Sequence, residues 1–351
     1  MTTADLLITT DAGLYCPAGD LYIDPWQSVP RAVITHAHAD HARPGSARYL
    51  TSSEGRDLLQ TRLGPETVVD ALPYGEAITF GGVSLSLHPA GHILGSSQVR
   101  IEHRGDVWVV SGDYKTAADR TCAPFEPVRC RVFVTESTFG LPIFRWPAQS
   151  VVFEELNAWW RANAAEGRAS LVFAYSLGKA QRVLSGLDAS IGPIYAHGAV
   201  QRMTEVYRRA GIELPPAGYA GVAAARRDWN GALILAPPSA RTSPWSRRFG
   251  DFASAFVSGW MQIRGARRRR SIERGFVLSD HADWDDLQRT IRATGATRVL
   301  VTHGSVAPLV RFLNEQGLDA APLSTRFEGE QDEAGETADD DEAATPPESS
   351  P

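Results

Sequence analysis

A short run of metal-binding side chains after an apolar segment constrains this chain more than any other feature. Residues 33–35 (Val-Ile-Thr) predict a buried strand, and directly after them come His36, His38, Asp40 and His41. Alternate side chains of an extended chain point the same way, so His36 and His38 can bind one ion. A turn after them would bring Asp40 and His41 to a second ion. Because imidazole and carboxylate suit zinc or a similar first-row metal, we expect a metal site here, with surface histidines on a polar loop as the alternative.

Three further candidate ligands stand where other predicted strands end. His92 lies in a glycine-flanked loop (residues 90–96), where the backbone can approach an ion closely. Asp113 follows the apolar residues 109–110, and His303 follows the last predicted strand. One strand-end aspartate or histidine alone is more often a capping or hydrogen-bonding residue. The whole set, in this order, predicts a metal centre.

Charge is distributed unevenly along the 351 residues. The formal net charge is −6, but residues 328–351 contain ten acidic and no basic side chains, which leaves 35 basic against 31 acidic groups elsewhere. This acidic segment has too little apolar surface to fold, so we expect a disordered tail. The remaining body is mildly cationic and rich in arginine, which is compatible with a polyanionic substrate.

Composition also excludes some classes of protein. No stretch of about 18 uncharged apolar residues appears, so we expect no membrane span, and the N-terminus lacks the pattern of a secretory signal. Cys16, Cys122 and Cys130 are too few and too scattered for a disulfide framework, which predicts a reducing, cytoplasmic location. The length predicts about two domains.

The order of predicted elements changes along the chain. Short strands punctuated by glycine dominate residues 1–141, whereas strands and helices alternate within residues 142–274. That alternation predicts a doubly wound α/β unit, and residues 275–327 again combine strands with helices. Besides 33–35, the main predicted strands are 48–52, 67–69, 77–80, 83–88, 98–103, 107–111, 131–135, 170–174, 194–196, 232–235, 275–278 and 298–301, and the predicted helices are 55–63, 150–165, 179–187, 200–210, 284–294 and 306–316.

Taken together, these motifs resemble the metallo-β-lactamase fold and, more narrowly, its β-CASP nuclease branch. That branch carries a second domain inserted between the metal-binding strands, which is the place of residues 142–274 here. Its further motifs are similar to residues 135–140 (Thr-Glu-Ser-Thr-Phe-Gly), 173–181 (Phe-Ala-Tyr-Ser-Leu-Gly-Lys-Ala-Gln), 278–283 (Leu-Ser-Asp-His-Ala-Asp) and 302–304 (Thr-His-Gly). The resemblance covers residues 12–326.

The resemblance implies a fold class and a division into domains. The fold would be α/β, an αββα metallo-β-lactamase sandwich with an inserted β-CASP α/β domain. Residues 1–141 and 275–327 would form the two parts of the sandwich, residues 142–274 the insertion, and residues 328–351 the acidic tail.

The resemblance also implies a centre of two Zn²⁺ ions, with Mn²⁺ as the alternative ion. One ion would be bound by His36, His38 and His92. The other would be bound by Asp40, His41 and His303, and Asp113 would bridge the two. Asp24 matches the family's first aspartate, whose implied role is to orient a ligand, with a turn aspartate before Pro25 as the alternative.

Phosphodiester hydrolysis is the reaction that this resemblance implies. Two metal ions supply hydroxide at neutral pH and neutralise developing charge, and Asp40 is one of the implied catalytic residues. His281 is the candidate general acid, held by Glu136, whose carboxylate favours the imidazolium. A structural position at a helix N-terminus, beside the cap-like Asp283, is the alternative role for His281.

Nucleic acid is the implied substrate, and the resemblance favours DNA over RNA. Residues 14–20, 136–145 and 259–261 are similar to those of bacterial exonucleases associated with ATP-dependent DNA ligases, which predicts a DNA exonuclease linked to ligation and repair. Residues 236–240 replace a glycine-rich, methionine-containing turn of many RNA-processing members. A histidine in the third motif, here His303, is commoner in RNA-cleaving members, so an RNA-processing ribonuclease is the alternative.

Two other functions are less favoured by the sequence. A small-substrate metallohydrolase would not need the inserted domain, which suits a long strand better than a small molecule. An inactive nucleic-acid-binding homologue would be expected to lose part of the ligand set, which is complete here.

Four basic residues are candidate contacts to phosphate groups. Lys179 and Arg182 begin a predicted helix after a glycine turn, and phosphate can bind at a helix N-terminus. Arg267 and Arg268 belong to a cluster that could neutralise phosphates along a strand, or could be a solvated charged surface. The other members of this cluster are Arg264, Arg269, Arg270 and Arg274.

Overall fold

The computed structural model describes residues 5–221, 229–263, 265 and 273–327. The chain folds into two compact units. The first unit ends at Arg145 and resumes at Asp280, and residues Trp146–Ser279 form the second, so the second unit is inserted into the sequence of the first. None of the helices within the described ranges is long and apolar enough to cross a membrane. The predicted acidic tail, residues 328–351, lies outside the described residues.

The elements are short and numerous. In chain order the strands are β1 (Ile8–Thr10), β2 (Gly13–Cys16), β3 (Leu21–Ile23), β4 (Ala32–Val33), β5 (Tyr49–Ser52), β6 (Val69–Leu72), β7 (Ala77–Phe80), β8 (Val83–Pro89), β9 (Ser97–His103), β10 (Asp106–Val110), β11 (Val132–Ser137), β12 (Ala169–Phe173), β13 (Ile194–Ala196), β14 (Gly218–Tyr219), β15 (Leu233–Ala236), β16 (Phe252–Val257), β17 (Arg274–Phe276), β18 (Arg298–Gly304) and β19 (Asp319–Pro322). The α-helices of the described ranges are α1 (Arg56–Leu63), α2 (Gln149–Ala165), α3 (Lys179–Ser185), α4 (Gly198–Arg209), α5 (Trp284–Thr294) and α6 (Val306–Glu315). Short 3₁₀ turns occupy Pro238–Thr242, Ser246–Phe249 and Gly259–Gln262.

Two mixed sheets form the first unit. One has the strand order β1-β2-β3-β4-β5-β6, and the other has the order β19-β18-β11-β10-β9-β8-β7. In the second sheet β10, β11, β18 and β19 run parallel to one another. The carboxyl ends of parallel neighbours meet at one edge of a sheet, so the segments that follow β10, β11 and β18 lie close together.

Side chains of the second sheet alternate between two cores. Trp108 and Val110 of β10 point into the core shared with the first sheet, whereas Val109 between them packs against α5 and α6. Phe133 of β11 lies in the same outer core as Val109. Helix α1 packs against β5 and β6 of the first sheet. The layers therefore run helix, sheet, sheet, helix, and the predicted αββα fold is confirmed.

The second unit is built on one parallel sheet. Its strand order is β14-β13-β15-β12-β16-β17, and every neighbouring pair is parallel. Helices α2, α3 and α4 contribute to the core on one face. The other face is covered by residues of the 3₁₀ turns, among them Ala240 and Phe249, together with Trp229 and Trp245.

The doubly wound arrangement predicted for this unit is therefore only partly right. The strands alternate with helices as expected, but the described α-helices cover one face of the sheet rather than both. Pro244 contributes to the difference, because a helix that began at Pro238 would need the N–H group that proline lacks when it reached residue 244.

Most predicted elements begin and end within about three residues of the observed ones. The largest omission is β16, which pairs with β12 and β17 near the centre of the second sheet. Its sequence, Phe-Ala-Ser-Ala-Phe-Val, contains only one β-branched residue, so it carries a weak strand signal. Burial on both sides, rather than intrinsic propensity, stabilises this strand.

Candidate metal centre

All of the predicted ligands lie in the first unit, after strands of its two sheets. The chain leaves the ladder after β4 because the Thr35 N–H donates to Asp24 Oδ1 at 2.7 Å. The loop that begins there carries His36, His38, Asp40 and His41. His92 follows β8, Asp113 follows β10, and His303 lies near the end of β18.

A single glycine permits Asp113 to reach this position. Gly112 has a φ of +56°, which favours glycine. A Cβ atom on Gly112 would lie 2.7 Å from Thr35 Cβ, so the two loops could not approach each other as closely with another residue. The approach brings the Asp113 carboxylate, from the second sheet, to the histidines that follow the first.

Four side chains from both sheets converge tightly. One ligand atom each from His36, His38, His92 and Asp113 lies within 4.8 Å of the others, and all four residues are buried. His92 Nε2 and His38 Nδ1, for example, are 3.1 Å apart. These are the residues that the sequence assigns to the first ion, with Asp113 as the bridging carboxylate.

The residues assigned to the second ion are joined in pairs. His303 Nε2 lies 3.0 Å from Asp113 Oδ1, and His41 Nε2 lies 3.7 Å from Asp113 Oδ2. Asp40 Oδ2 lies 3.5 Å from His41 Nε2. Within the described ranges, Asp40, His41 and His303 do not form a group as tight as the first, and Asp113 is the residue that contacts both sets.

Asp24 orients the His41 ring by contacting its Nδ1 atom. Its Oδ2 atom lies 2.7 Å from His41 Nδ1 and also accepts a hydrogen bond from the Thr35 hydroxyl at 2.5 Å. Asp24 has a φ of +43° and is almost fully buried, so it is more than a solvent-exposed turn residue. With Nδ1 bonded to Asp24, Nε2 of His41 faces Asp40 and Asp113.

Replacing Asp24 with asparagine should weaken metal binding by about 10- to 100-fold, because the amide cannot accept from three donors as the carboxylate does. Asp70→Asn is the matched control, since Asp70 pairs with Arg48 on the exposed side of β6. Titration with Zn²⁺ against a competing chelator measures the effect. Equal affinities in the two variants would show that Asp24 does not orient a ligand.

The protonation of the site suits metal ligation. Burial lowers the pKa of His36 and of His92 well below the usual value, and the neighbouring imidazoles add to this effect. Both rings are therefore neutral at pH 7 and carry a nitrogen lone pair. Burial alone would raise the pKa of Asp113, but His41 and His303 lower it well below its usual range, so it is ionised.

Excess negative charge surrounds His41. Burial alone would lower its pKa, but Asp40, Asp113 and Asp24 raise it to about 10. A buried proton on His41 thus compensates for neighbouring carboxylates. A divalent cation would compensate for them more completely, because buried carboxylates need a positive partner.

Unsatisfied nitrogen atoms also fit a metal. Nε2 of His36, Nε2 of His41 and Nδ1 of His303 are buried and have no hydrogen-bond partner among the described residues. Buried polar atoms of this kind need an explanation, and ions are one. The neutral imidazoles of His36 and His92, the ionised carboxylate of Asp113 and the unsatisfied nitrogens together fit a centre for first-row metal ions.

A histidine–glutamate pair adjoins this centre. His281 Nδ1 lies 2.9 Å from Glu136 Oε2 and 4.0 Å from Asp113 Oδ2. Burial alone would lower the pKa of His281, but Glu136, with Asp113 and Asp280, raises it to about 9. The neighbouring carboxylates therefore favour the imidazolium form of His281. This residue precedes Asp283, whose carboxylate caps α5 by accepting from the Asp286 N–H at 2.8 Å.

Two contacts at this site were missed by the sequence analysis. The Tyr114 N–H donates to Glu136 Oε1 at 2.8 Å, and the Asp280 carbonyl lies 2.8 Å from His92 Nδ1. Both fix the orientation of a predicted site residue. Because each uses a backbone group, no residue type in the sequence could have signalled it.

Two of the candidate phosphate contacts are described, and both belong to the second unit. Lys179 and Arg182 are fully buried in α3 of the second unit, where Lys179 Nζ lies 5.0 Å from the centre of the Tyr175 ring. Arg274 is half-exposed in β17 and pairs with Glu155 at 3.5 Å. Arg267 and Arg268, with Arg264, Arg269 and Arg270, lie outside the described residues.

Comparison with known proteins identifies relatives in sequence. The chain is 33% identical over 312 residues to "Probable DNA ligase" of Opitutus terrae, a match that covers 88% of this chain and 30% of that protein. It is 22% identical over 231 residues to "RNase J-like protein" of Methanocaldococcus jannaschii, covering 57% of this chain and 55% of that protein. The chain thus spans between about a third and a half of the length of these relatives. No family model matches the chain.

A solved structure has a related fold. A protein of unknown function from Enterococcus faecalis V583 superposes with a TM-score of 0.56 at 15% sequence identity, covering 85% of this chain and 80% of that one. At this low identity, the likeness concerns the fold alone.

Proposed function

The chain belongs to the β-CASP branch of the metallo-β-lactamase family, and we propose that it is a metal-dependent nuclease that hydrolyses phosphodiester bonds of nucleic acid. The observation that carries the proposal is the position of His281. Its imidazole, paired with Glu136 at 2.9 Å, lies 4.0 Å from Asp113, the carboxylate that contacts both sets of candidate ligands. A proton donor next to a cation site is what the hydrolysis of an anionic ester requires.

In this proposal the residues described above would hold two divalent ions, Zn²⁺ or Mn²⁺. His36, His38 and His92 would hold one, Asp40, His41 and His303 would hold the other, and Asp113 would serve both. Ions bound there would supply hydroxide at neutral pH and neutralise charge on the phosphate. Asp24 and the Asp280 carbonyl hold the rings of His41 and His92 in position by bonding Nδ1 of each, which leaves Nε2 as the nitrogen that would bind a metal ion.

His281 is the general acid of the proposal. When the phosphodiester bond breaks, the departing sugar oxygen must acquire a proton, and His281 Nε2 donates it. Glu136 makes this proton available at pH 7 because its carboxylate stabilises the imidazolium through Nδ1. The Tyr114 N–H holds Glu136 in turn, so the pair is oriented before substrate binds.

DNA is the proposed substrate, cleaved from an end, with a function linked to DNA ligation and repair. The support is the relative named "Probable DNA ligase", which matches 88% of this chain. An ATP-dependent DNA ligase is accordingly the proposed functional partner. RNA is the second candidate, since the relative named "RNase J-like protein" also matches more than half of the chain.

Digestion of matched substrates tests this choice. The protein is loaded with Zn²⁺ or Mn²⁺ and incubated with labelled single-stranded DNA and RNA of one sequence, each with free or blocked ends. We expect faster loss of the DNA, with mononucleotide products, and protection by a blocked end. Preferential cleavage of RNA would replace the DNA proposal with the ribonuclease, and internal cleavage of blocked strands would exclude the exonuclease.

A further inference from the structure

The last described residues of the first unit return to the candidate metal centre. After β19, the Leu323 N–H donates to the Val301 carbonyl of β18 at 2.8 Å. The Thr325 hydroxyl then contacts the Thr302 hydroxyl at 2.5 Å, directly before His303. These two contacts lead residues 323–327 along the end of β18 that carries a candidate ligand.

The segment places an aromatic ring against that centre. The Phe327 ring stacks on the His41 imidazole, with centroids 4.4 Å apart and planes 12° from parallel. The edges of two other rings approach it, His303 at 5.8 Å and Trp26 at 6.0 Å. Phe327 itself is partly buried, whereas His41 is 1% exposed.

Two partners thus restrict His41 in different directions. Asp24 bonds the Nδ1 edge of the ring, which sets how far the imidazole can slide, and Phe327 covers its face, which sets the tilt. Stacked aromatic pairs contribute more than their buried area alone. Metal ligation needs this orientation, because Nε2 must face Asp40 and Asp113.

We propose that Phe327 is a positioning residue for the second ion, acting through the plane of His41. The inference rests on the proposed dimetal function. The inference predicts an effect on the second ion and not on the first. The reason is that Phe327 contacts His41 and His303, which are both assigned to the second ion. The C-terminal segment of the first unit is then part of the metal centre rather than a connection to the residues that follow.

Metal titration of the full-length protein tests the inference without using activity. Phe327→Ala should weaken the second equivalent of Zn²⁺ or Co²⁺ by about 10-fold or more and leave the first unchanged. Phe327→Trp restores an aromatic face and should restore the second equivalent, whereas Phe327→Leu, which preserves apolar volume, should not. Phe80→Ala, at a partly buried ring that packs on the core between the sheets, is the matched control.

Shortened chains provide an independent version of the same test. A chain that ends at Arg326 lacks the ring and should behave as Phe327→Ala, whereas a chain that ends at Phe327 should bind both equivalents as the full-length protein does. In Co²⁺-loaded protein, the visible absorption assigned to the second equivalent should change in the first of these and not in the second.

Several outcomes would overturn the inference. Unchanged binding of both equivalents in folded Phe327→Ala would do so, as would equal weakening of both, or restoration by leucine as well as by tryptophan. A wild-type protein that binds fewer than two ions would also overturn it. A wild-type protein that binds two ions but cleaves no nucleic acid would refute the proposed nuclease while leaving the role of Phe327 intact.

Discussion

Replacing Asp113 with asparagine should lower the rate of nucleic-acid cleavage by on the order of 10³-fold, the effect of losing about 4 kcal/mol of transition-state stabilisation. Asp113 is buried among the candidate ligands and lies within 4.0 Å of nitrogen atoms from His36, His41, His92, His281 and His303. The amide removes the negative charge that both ions would share. Metal content, measured together with the rate, should fall in parallel.

A control for Asp113 lies on the preceding strand. Asp106 is the first residue of β10, the strand that Asp113 follows, and it pairs with Arg131. Asp106→Asn therefore removes a carboxylate that is nearby in sequence without changing the candidate site. This variant should keep its metal and its rate. If Asp113→Asn bound two ions with wild-type affinity, or if both variants lost activity equally, the assignment of Asp113 as the shared ligand would be wrong.

Replacing His281 with alanine should lower kcat by about 10²- to 10⁴-fold while both ions remain bound, which is the range for loss of a general acid. The reason is that His281 contacts Glu136 directly but is not assigned as a ligand. The metal content distinguishes a general acid from a residue that is needed only for the structure of the site. Loss of both ions in His281→Ala would make the histidine structural, and a wild-type rate would exclude it from the reaction.

The dependence of kcat on pH is a second test of the role of His281. The folded pKa of His281 is raised to about 9, so the acid form is present below that pH and is lost as pH rises through it. Ions held by Asp113 would lower this value, since positive charge disfavours the imidazolium. We therefore expect kcat to decline on the alkaline side at or below about pH 9, and we expect this decline to be absent in His281→Ala.

The sequence was most informative where a residue type and its spacing carry the chemistry. His36, His38, Asp40 and His41 could be identified as ligands because an extended chain followed by a turn brings such side chains together. His92, Asp113 and His303 each carry a weak signal alone, and their assignment to particular ions needed the resemblance, since nothing in a strand-end histidine or aspartate reveals which other strands end nearby. The structure brings all of them to one buried region of the first unit.

Other features could not be read from the sequence, for physical reasons. The Tyr114 and Asp280 backbone groups act through atoms that every residue possesses. Phe327 is the last residue before the acidic segment, and nothing in the sequence indicates that its ring stacks on His41. Strand β16 forms because neighbours bury it on both sides, whereas its small residues have little intrinsic preference for a strand.

The most direct test of the account measures cleavage and metal content together in wild-type protein and in Asp40→Ala. Asp40 lies beside His41 and belongs to the second set of ligands. We expect wild-type protein with two bound ions to degrade single-stranded DNA, chelation to stop this, and added Zn²⁺ or Mn²⁺ to restore it. Asp40→Ala should be inactive under all these conditions. Cleavage that survives in Asp40→Ala, or that persists in chelator, would contradict the proposed metal-dependent nuclease.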